Sequence, residues 1–348
     1  MTALGRAWPG ARELVARVGE DELKVLAYPD LVGEPYVGDR VLLNVSAQAM
    51  GLGTGGYALL VALPDRLPQD APPGPGHLVK ARYTPLQTIV LGADEQDSPH
   101  HELLRDADDL GGMPVVTADL HSALPAICAA IRHDRPGTRV AYVMTDGGAL
   151  PLWFSRTVAG LREADWLCGS VTVGQAFGGD IEAVTVHTGL LAAKLILNAD
   201  VAIVTQGPGN LGTGTTWGFS GVGCGEAVNA AGVLGGRPIG VLRVSEADAR
   251  ERHRGLSHHS VTAYGRVALA RAELALPDES GAFWTGVRAQ AAALAARHLL
   301  RDVACEGLDD ALAASPVALS TMGRGPKEDR ANFLAAACAG RLAVAPTR

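Results

Sequence analysis

The sequence carries no excess of basic residues, no CxxC pair, few aromatic side chains and no long uninterrupted apolar run. Lys and Arg number 30 against 37 Asp and Glu, a formal net charge of −7. That balance speaks against nucleic acid or an anionic membrane surface as a partner, since both need a basic face. The densest basic stretch, Arg250, Arg252 and Arg254, is broken by Glu251 and His253. The five cysteines (Cys128, Cys168, Cys224, Cys305 and Cys338) are odd in number and widely spaced. They fit neither a disulfide framework nor a zinc knuckle, so a reducing, cytoplasmic setting is expected. Residues 1–15 lack the apolar stretch of a signal peptide. The longest apolar segment, 189–204, contains Lys194, Asn198 and Asp200 and reads as a helix followed by a strand, not a membrane span. A GxSxG elbow, a P-loop, HExxH or HxH spacing and paired carboxylates on one helix are also missing, which removes the commonest local signatures of hydrolases and nucleotide enzymes.

What is present falls into two textures. Residues 13–94 hold short β-type runs, 14–18, 23–28, 40–45, 57–63, 77–83 and 88–91, parted by turn residues and by the Pro/Gly-rich stretch 69–76. They leave no room for a long amphipathic helix. The expected N-terminal part, residues 1–94, is a small antiparallel β barrel or sandwich. A charged stretch, 95–112, reads as a linker. From 113 to 348, apolar runs at 114–118, 139–144, 169–173, 200–205, 238–244 and 316–320 alternate with helical segments, and 298–305 could add a further strand. That alternation predicts βαβ crossovers, so this is an α/β protein whose second domain is a doubly wound, mostly parallel sheet covered by helices on both faces.

In such a sheet ligands bind outside the carboxyl ends of the strands, so the residues just after each run are informative. His121 and Ser122 come after the first run, Asp146 after the second, and Asp180 lies beyond the third. The fourth leads into the glycine-rich segment Gly207, Gly209, Gly212, Thr213, Gly214 and Thr215. It resembles an anion cradle but has no P-loop lysine, and Pro208 spoils a GxGxxG match. Ser257, His258, His259 and Ser260 come after the fifth, and Arg324 lies between two glycines after the last. His187 precedes a helical run, where the helix dipole favours a neutral imidazole.

Two sets emerge. His258 and His259 with Asp146 and His187 are the candidate proton-handling, catalytic residues. The glycine-rich segment and Arg324 are candidates for holding an anionic group. A metal at the paired histidines would need further ligands from His253, His121, His187, Asp146 or Asp180. The cofactor is left unknown. The glycine run 51–56 could approach this site from the first domain, although a β-bulge would account for it. The expected function is an enzyme, a hydrolase or group transferase, acting on a small polar or anionic metabolite. The alternatives are a non-catalytic metabolite-binding or regulatory module, or an oligomeric scaffold. A homo-oligomer is consistent with the apolar and glycine content.

The segments Gly51 to Tyr57, Arg82-Tyr83-Thr84-Pro85-Leu86-Gln87, Tyr142-Val143-Met144-Thr145-Asp146-Gly147, Phe177-Gly178-Gly179-Asp180, Val186-His187-Thr188-Gly189-Leu190-Leu191, Arg252 to Ser260 and Ser320-Thr321-Met322-Gly323-Arg324-Gly325 together resemble a bacterial family of unknown function, DUF3866. The resemblance spans nearly the whole chain. It implies relatives, and it brings no substrate, cofactor or catalytic residue with it.

Overall fold

The computed structural model describes residues 1–69 and 74–346, so part of the Pro/Gly-rich stretch 69–76 lies outside the described residues. Five strands form the N-terminal sheet: β1 (Ala3–Trp8), β2 (Ala11–Val18), β3 (Asp21–Ala27), β4 (Leu42–Asn44) and β5 (Ala58–Ala62). A two-residue turn at Gly19 and Glu20 joins β2 to β3, and Gly19 supplies the positive φ such a turn requires. Leu14 and Ala16 of β2 pack with Val25, Ala27, Ala58 and Leu60 in a small core of their own.

The sheet order is β1-β2-β3-β5-β4. All pairs are antiparallel except β3 with β5. A barrel closes only when its outermost strands pair. Here β1 and the three-residue β4 end the sheet without pairing, so the expected barrel is an open sheet. A separate hairpin, β6 (Leu78–Lys80) with β7 (Thr88–Val90), lies between this sheet and the rest of the chain.

The second part is built on eight parallel strands: β8 (Pro114–Thr117), β9 (Val140–Thr145), β10 (Gly169–Thr172), β11 (Ile181–Glu182), β12 (Val201–Gln206), β13 (Arg237–Val241), and, beyond a short hairpin of β14 (Val244–Ser245) and β15 (Gly255–Leu256), β16 (Glu273–Pro277) and β17 (Leu299–Val303). Their order is β11-β10-β9-β12-β8-β13-β16-β17. Strands β9 and β12 are almost wholly apolar and buried, as expected of strands covered on both faces.

The run at 316–320 is not a strand. Its residues alternate between solvent and interior without pairing, and β16 and β17 take that side of the sheet. Only Leu274, Ala275 and Leu276 mark β16 as apolar, between Glu273 and Pro277, too short a run to stand out.

From β8 the chain runs through helix Leu124–Asp134 toward β9, and from β12 through helix Gly223–Val233 to β13 on the other side of β8. The first helix belongs to the core shared with helix Arg330–Val344. The second places Ala227, Ala230 and Ala231 in the core on the opposite face. The chain therefore departs in opposite directions from two adjacent strands, the topological switch that opens a crevice at their carboxyl ends. Helices Leu124–Asp134 and Arg330–Val344 cross closely because Gly340 has no side chain, and a Cβ there would lie 2.3 Å from the Ile127 carbonyl oxygen.

Candidate functional site

Below the strand ends lies a buried polar layer. His121, in the turn after β8, has Nδ1 3.0 Å from the Tyr142 hydroxyl and Nε2 2.7 Å from Ser155 Oγ. Ser155 Oγ accepts from Val158 N, capping the helix Arg156–Glu163. The neutral ring offers one nitrogen as donor and the other as acceptor to these two hydroxyls. Tyr142 in turn reaches Thr205 Oγ1 at 3.0 Å. Burial pushes the His121 pKa down to about 4, so the ring is neutral and its nitrogens are occupied by the fold.

Above this layer the carboxyl ends of β8 and β13 carry Asp119 and Arg243. Arg243 Nη1 lies 3.4 Å from Asp119 Oδ2 with both side chains buried. The chain then turns through the β14–β15 hairpin, where Gly255 has φ +71°, and a Cβ there would meet the Gln290 side chain. Gln290 Oε1 accepts from Leu256 N and fixes the returning strand. Ser257 caps the next helical turn, His258–Thr262, with Oγ accepting from His259 N. Ser260 Oγ accepts from Arg243 N. These bonds turn two consecutive histidines inward at the switch point. They lie at a helix start, not in the extended segment whose side chains would alternate.

His253 joins them. Its Nδ1 lies 2.7 Å from Ser257 Oγ, and ring centroids within the trio are 4.5 to 4.9 Å apart. One nitrogen or other ligand atom from each of the three residues lies within 4.8 Å of the other two, so the three rings could share one metal ion. His259 Nδ1 lies 3.4 Å from Asp119 Oδ2 and 3.1 Å from Arg243 Nη1. Its outer face stacks on Phe219, centroids 3.7 Å apart and planes within 5°. His258 is half-buried, and its Nε2 is enclosed without a hydrogen-bond partner among the described residues.

Electrostatics keep two of these rings uncharged. Burial, then Arg243, Arg250 and His259, pushes the His253 pKa down to about 3 against the opposing pull of Asp248. Burial, then His259 and the guanidiniums of Arg252, Arg243 and Arg250, lowers that of His258. Burial alone would raise the Asp119 pKa, but hydrogen bonding to His259 and the Arg243 charge outweigh it and hold it below the usual carboxylate value.

The remaining residues singled out in the sequence lie elsewhere or serve as braces. Asp146 accepts from Gln175 N at 2.8 Å and lines a separate cavity of about 550 Å3 with Lys80 and Arg82. His187 is exposed on the first turn of helix Val186–Leu195. Asp180 accepts from Ser170 N and Oγ and pairs with Arg162 at the sheet edge. Ser122 Oγ donates to Thr321 Oγ1, tying down the C-terminal loop. Arg324 is engaged by Asp329 and Asp248. Asp329 accepts from Ser245 Oγ and Glu246 N, so this cluster braces the hairpin that carries the histidines.

The glycine-rich segment forms a self-bonded turn. Gly207 packs against Ala149, and Gly209 has φ +93°. Gly212 bridges back to Phe219, Thr213 N donates to the Gly218 oxygen, and Gly218 N donates to Thr215 Oγ1. Gly214 lies beside Arg252, whose Nη2 is 3.5 Å from where a Cβ would stand. The turn thus delivers Phe219 onto His259.

Asp119, Arg243 and Phe219 are site residues that the sequence patterns did not single out. Asp119 directly follows β8, a signal equal to that of His121. Arg243 is hidden inside an apolar run, and Phe219 has no polar signature. A second cavity, about 410 Å3 and apolar, opens between the N-terminal sheet and the ends of β9 and β12, lined by Tyr28, Thr54, Leu59, Phe154, Phe177 and Gly209. The glycine run 51–56 does therefore approach the second part, at Gly53 and Thr54. No helix among the described residues is long and apolar enough to cross a membrane.

A model of the family described as "Protein of unknown function (DUF3866)" matches residues 24–340, and the chain belongs to that family. No curated protein and no solved structure matches the chain.

Proposed function

We propose that this member of the DUF3866 family is a hydrolase of a small anionic metabolite, with its catalytic centre at the cluster of His253, His258 and His259. The observation that carries this reading is the convergence of three imidazoles at the topological switch point, with the Asp119 carboxylate behind one of them. A structural core has no need to gather three imidazole rings and leave a ring nitrogen without a partner among the described residues. Reacting groups do, because activation of water requires basic lone pairs in a partly dry site. The water oxygen adds to the electrophilic carbon or phosphorus, and the leaving group departs with the proton.

The anionic character of the substrate is supported by Arg252. Arg243 faces Asp119, Arg250 faces Asp248 and Arg324 faces Asp329, whereas Arg252 has no carboxylate partner among the described residues. It lies at the exposed rim beside Gly214. The test is a panel of phosphoesters, carboxylic esters and amides bearing a second anionic group. The wild type turns over at least one class, and His258→Ala lowers kcat/KM at least about 100-fold. Equal turnover by both proteins would remove the proposal.

A non-catalytic binding module is the second reading, favoured by the 410 Å3 apolar cavity, where Thr54 Oγ1 is enclosed without a hydrogen-bond partner among the described residues. A ligand recovered unchanged after prolonged incubation with active protein would support it over the first.

A further inference from the structure

We infer that His253, His258 and His259 are the protein ligands of one divalent transition-metal ion of the zinc class, with Asp119 the carboxylate that orients His259. This deepens the hydrolase reading by naming what activates the water. The ion's catalytic role rests on that reading, whereas its binding does not.

The ring nitrogens are arranged as a metal would require. A metal-bound histidine uses one nitrogen for the ion and gives the other to a carboxylate, a carbonyl or another polar partner. His253 Nδ1 is engaged by Ser257 Oγ, which leaves Nε2 available. His259 Nδ1 faces Asp119, which again leaves Nε2. His258 offers an Nε2 that is enclosed and has no hydrogen-bond partner among the described residues, an unfavourable state unless something binds it. His253 and His259 thus present the pattern of ligands already supported from behind, and His258 presents an open nitrogen.

His259 Nδ1 has neighbours that demand opposite tautomers. Asp119 requires a proton on Nδ1, and Arg243 Nη1, at 3.1 Å, requires a lone pair there. An ion on Nε2 resolves the conflict, because it keeps the proton on Nδ1, which then donates to Asp119. Arg243 then bonds to Asp119 alone.

The buried guanidinium Arg243 and the neighbouring Arg250 and Arg324 are each matched by a carboxylate, and the unmatched Arg252 lies exposed at the rim. A purely imidazole donor set suits zinc, cobalt and nickel better than magnesium or calcium, which prefer oxygen. Three histidines leave the fourth tetrahedral position open, the arrangement in which bound water is acidified.

Zinc–nitrogen bonds of about 2.1 Å place tetrahedral ligands about 3.4 Å apart, so the trio must draw in from its limit of 4.8 Å. His258, half-buried, has room to turn. His259 is held by Phe219 and serves as the fixed ligand.

The test uses tag-free protein, treated with chelator and then titrated with zinc chloride by calorimetry and with cobalt chloride by visible absorption. The expected result is one ion per chain with micromolar or tighter affinity, and cobalt d–d bands typical of four-coordination. His258→Ala weakens binding at least about 100-fold, and Asp119→Asn weakens it about tenfold and shifts the cobalt bands. His187→Ala, which alters an exposed histidine, leaves both unchanged. Circular dichroism shows whether His258→Ala keeps its fold, and His258→Cys, which retains a ligand, restores binding with altered bands. Absence of saturable binding, or equal binding by wild type and His258→Ala, overturns the inference. Zinc binding without turnover of any substrate class supports it and counts against the hydrolase reading alone. Turnover that persists undiminished in chelator counts against the metal alone.

Discussion

The ring of His259 lies flat on that of Phe219, with planes within 5° and centroids 3.7 Å apart. The contact joins the turn after β12 to the helical start after β15, two segments distant in the sequence. Phe219 is buried. Phe219→Ala should cost about 3 kcal/mol in urea unfolding through lost packing, and Phe219→Leu about 1 kcal/mol. Phe219→Leu should also lower kcat/KM several-fold, because His259 loses its flat support. Equal stability of the two variants would show that the stack carries no load.

A second prediction concerns the clamp between the β6–β7 hairpin and the sheet edge. Lys80 Nζ donates to the Ala176 and Ala183 carbonyl oxygens and lies 3.5 Å from Glu182 Oε2. Glu182 also accepts from Thr172 Oγ1 and Gly178 N. Burial lowers the Lys80 pKa and raises that of Glu182. Lys80→Met should destabilise by about 3 kcal/mol, because it leaves a buried carboxylate without its cation. The double variant with Glu182→Gln should recover most of that loss. Denaturant midpoints decide it, and a double variant no better than the single one would contradict the pairing.

Third, His121 should make the protein acid-sensitive. Its pKa is about 4 in the fold against the ordinary 6.5. The unfolded chain therefore binds more protons than the folded one between these values. His121's contribution is fully present above pH 6.5 and is lost as the pH falls toward 4, by up to about 3 kcal/mol. His121→Gln keeps a hydrogen-bonding side chain and should flatten the stability–pH slope in that window. Identical slopes would show that His121 is not the titrating group.

Fourth, Gly340→Ala reads the close crossing of helices Leu124–Asp134 and Arg330–Val344. On an open helix face this change stabilises by about 0.5–1 kcal/mol. Here the new Cβ would meet the Ile127 carbonyl oxygen at 2.3 Å, so a loss of about 1–3 kcal/mol is expected. Thermal unfolding gives the sign directly.

The α/β class was legible because buried parallel strands such as β9 and β12 read as unbroken apolar runs. β16 was not, since only three of its residues are apolar, and the loop at 316–320 carried a better strand pattern without finding a partner. In the site, His258 and His259 stood out as a polar pair after β13. Local sequence could not tell which carboxylate meets them. Asp146 and Asp119 both follow strands, but β8 is the strand next to β13, and that order is a property of the whole sheet. Arg324 illustrates the same limit, since its glycine neighbours suggested a ligand and the fold supplied Asp329 and Asp248.

The proposed centre comprises three of the ten histidines. The most direct measurement of this is the imidazole 1H–15N correlation spectrum of labelled protein at neutral pH, with and without one equivalent of zinc, assigned by single His→Gln variants. The signals of His253, His258 and His259 are expected to move together while those of exposed His77 and His187 stay in place. Shifts confined to the exposed histidines, with the trio unmoved, would contradict a shared centre.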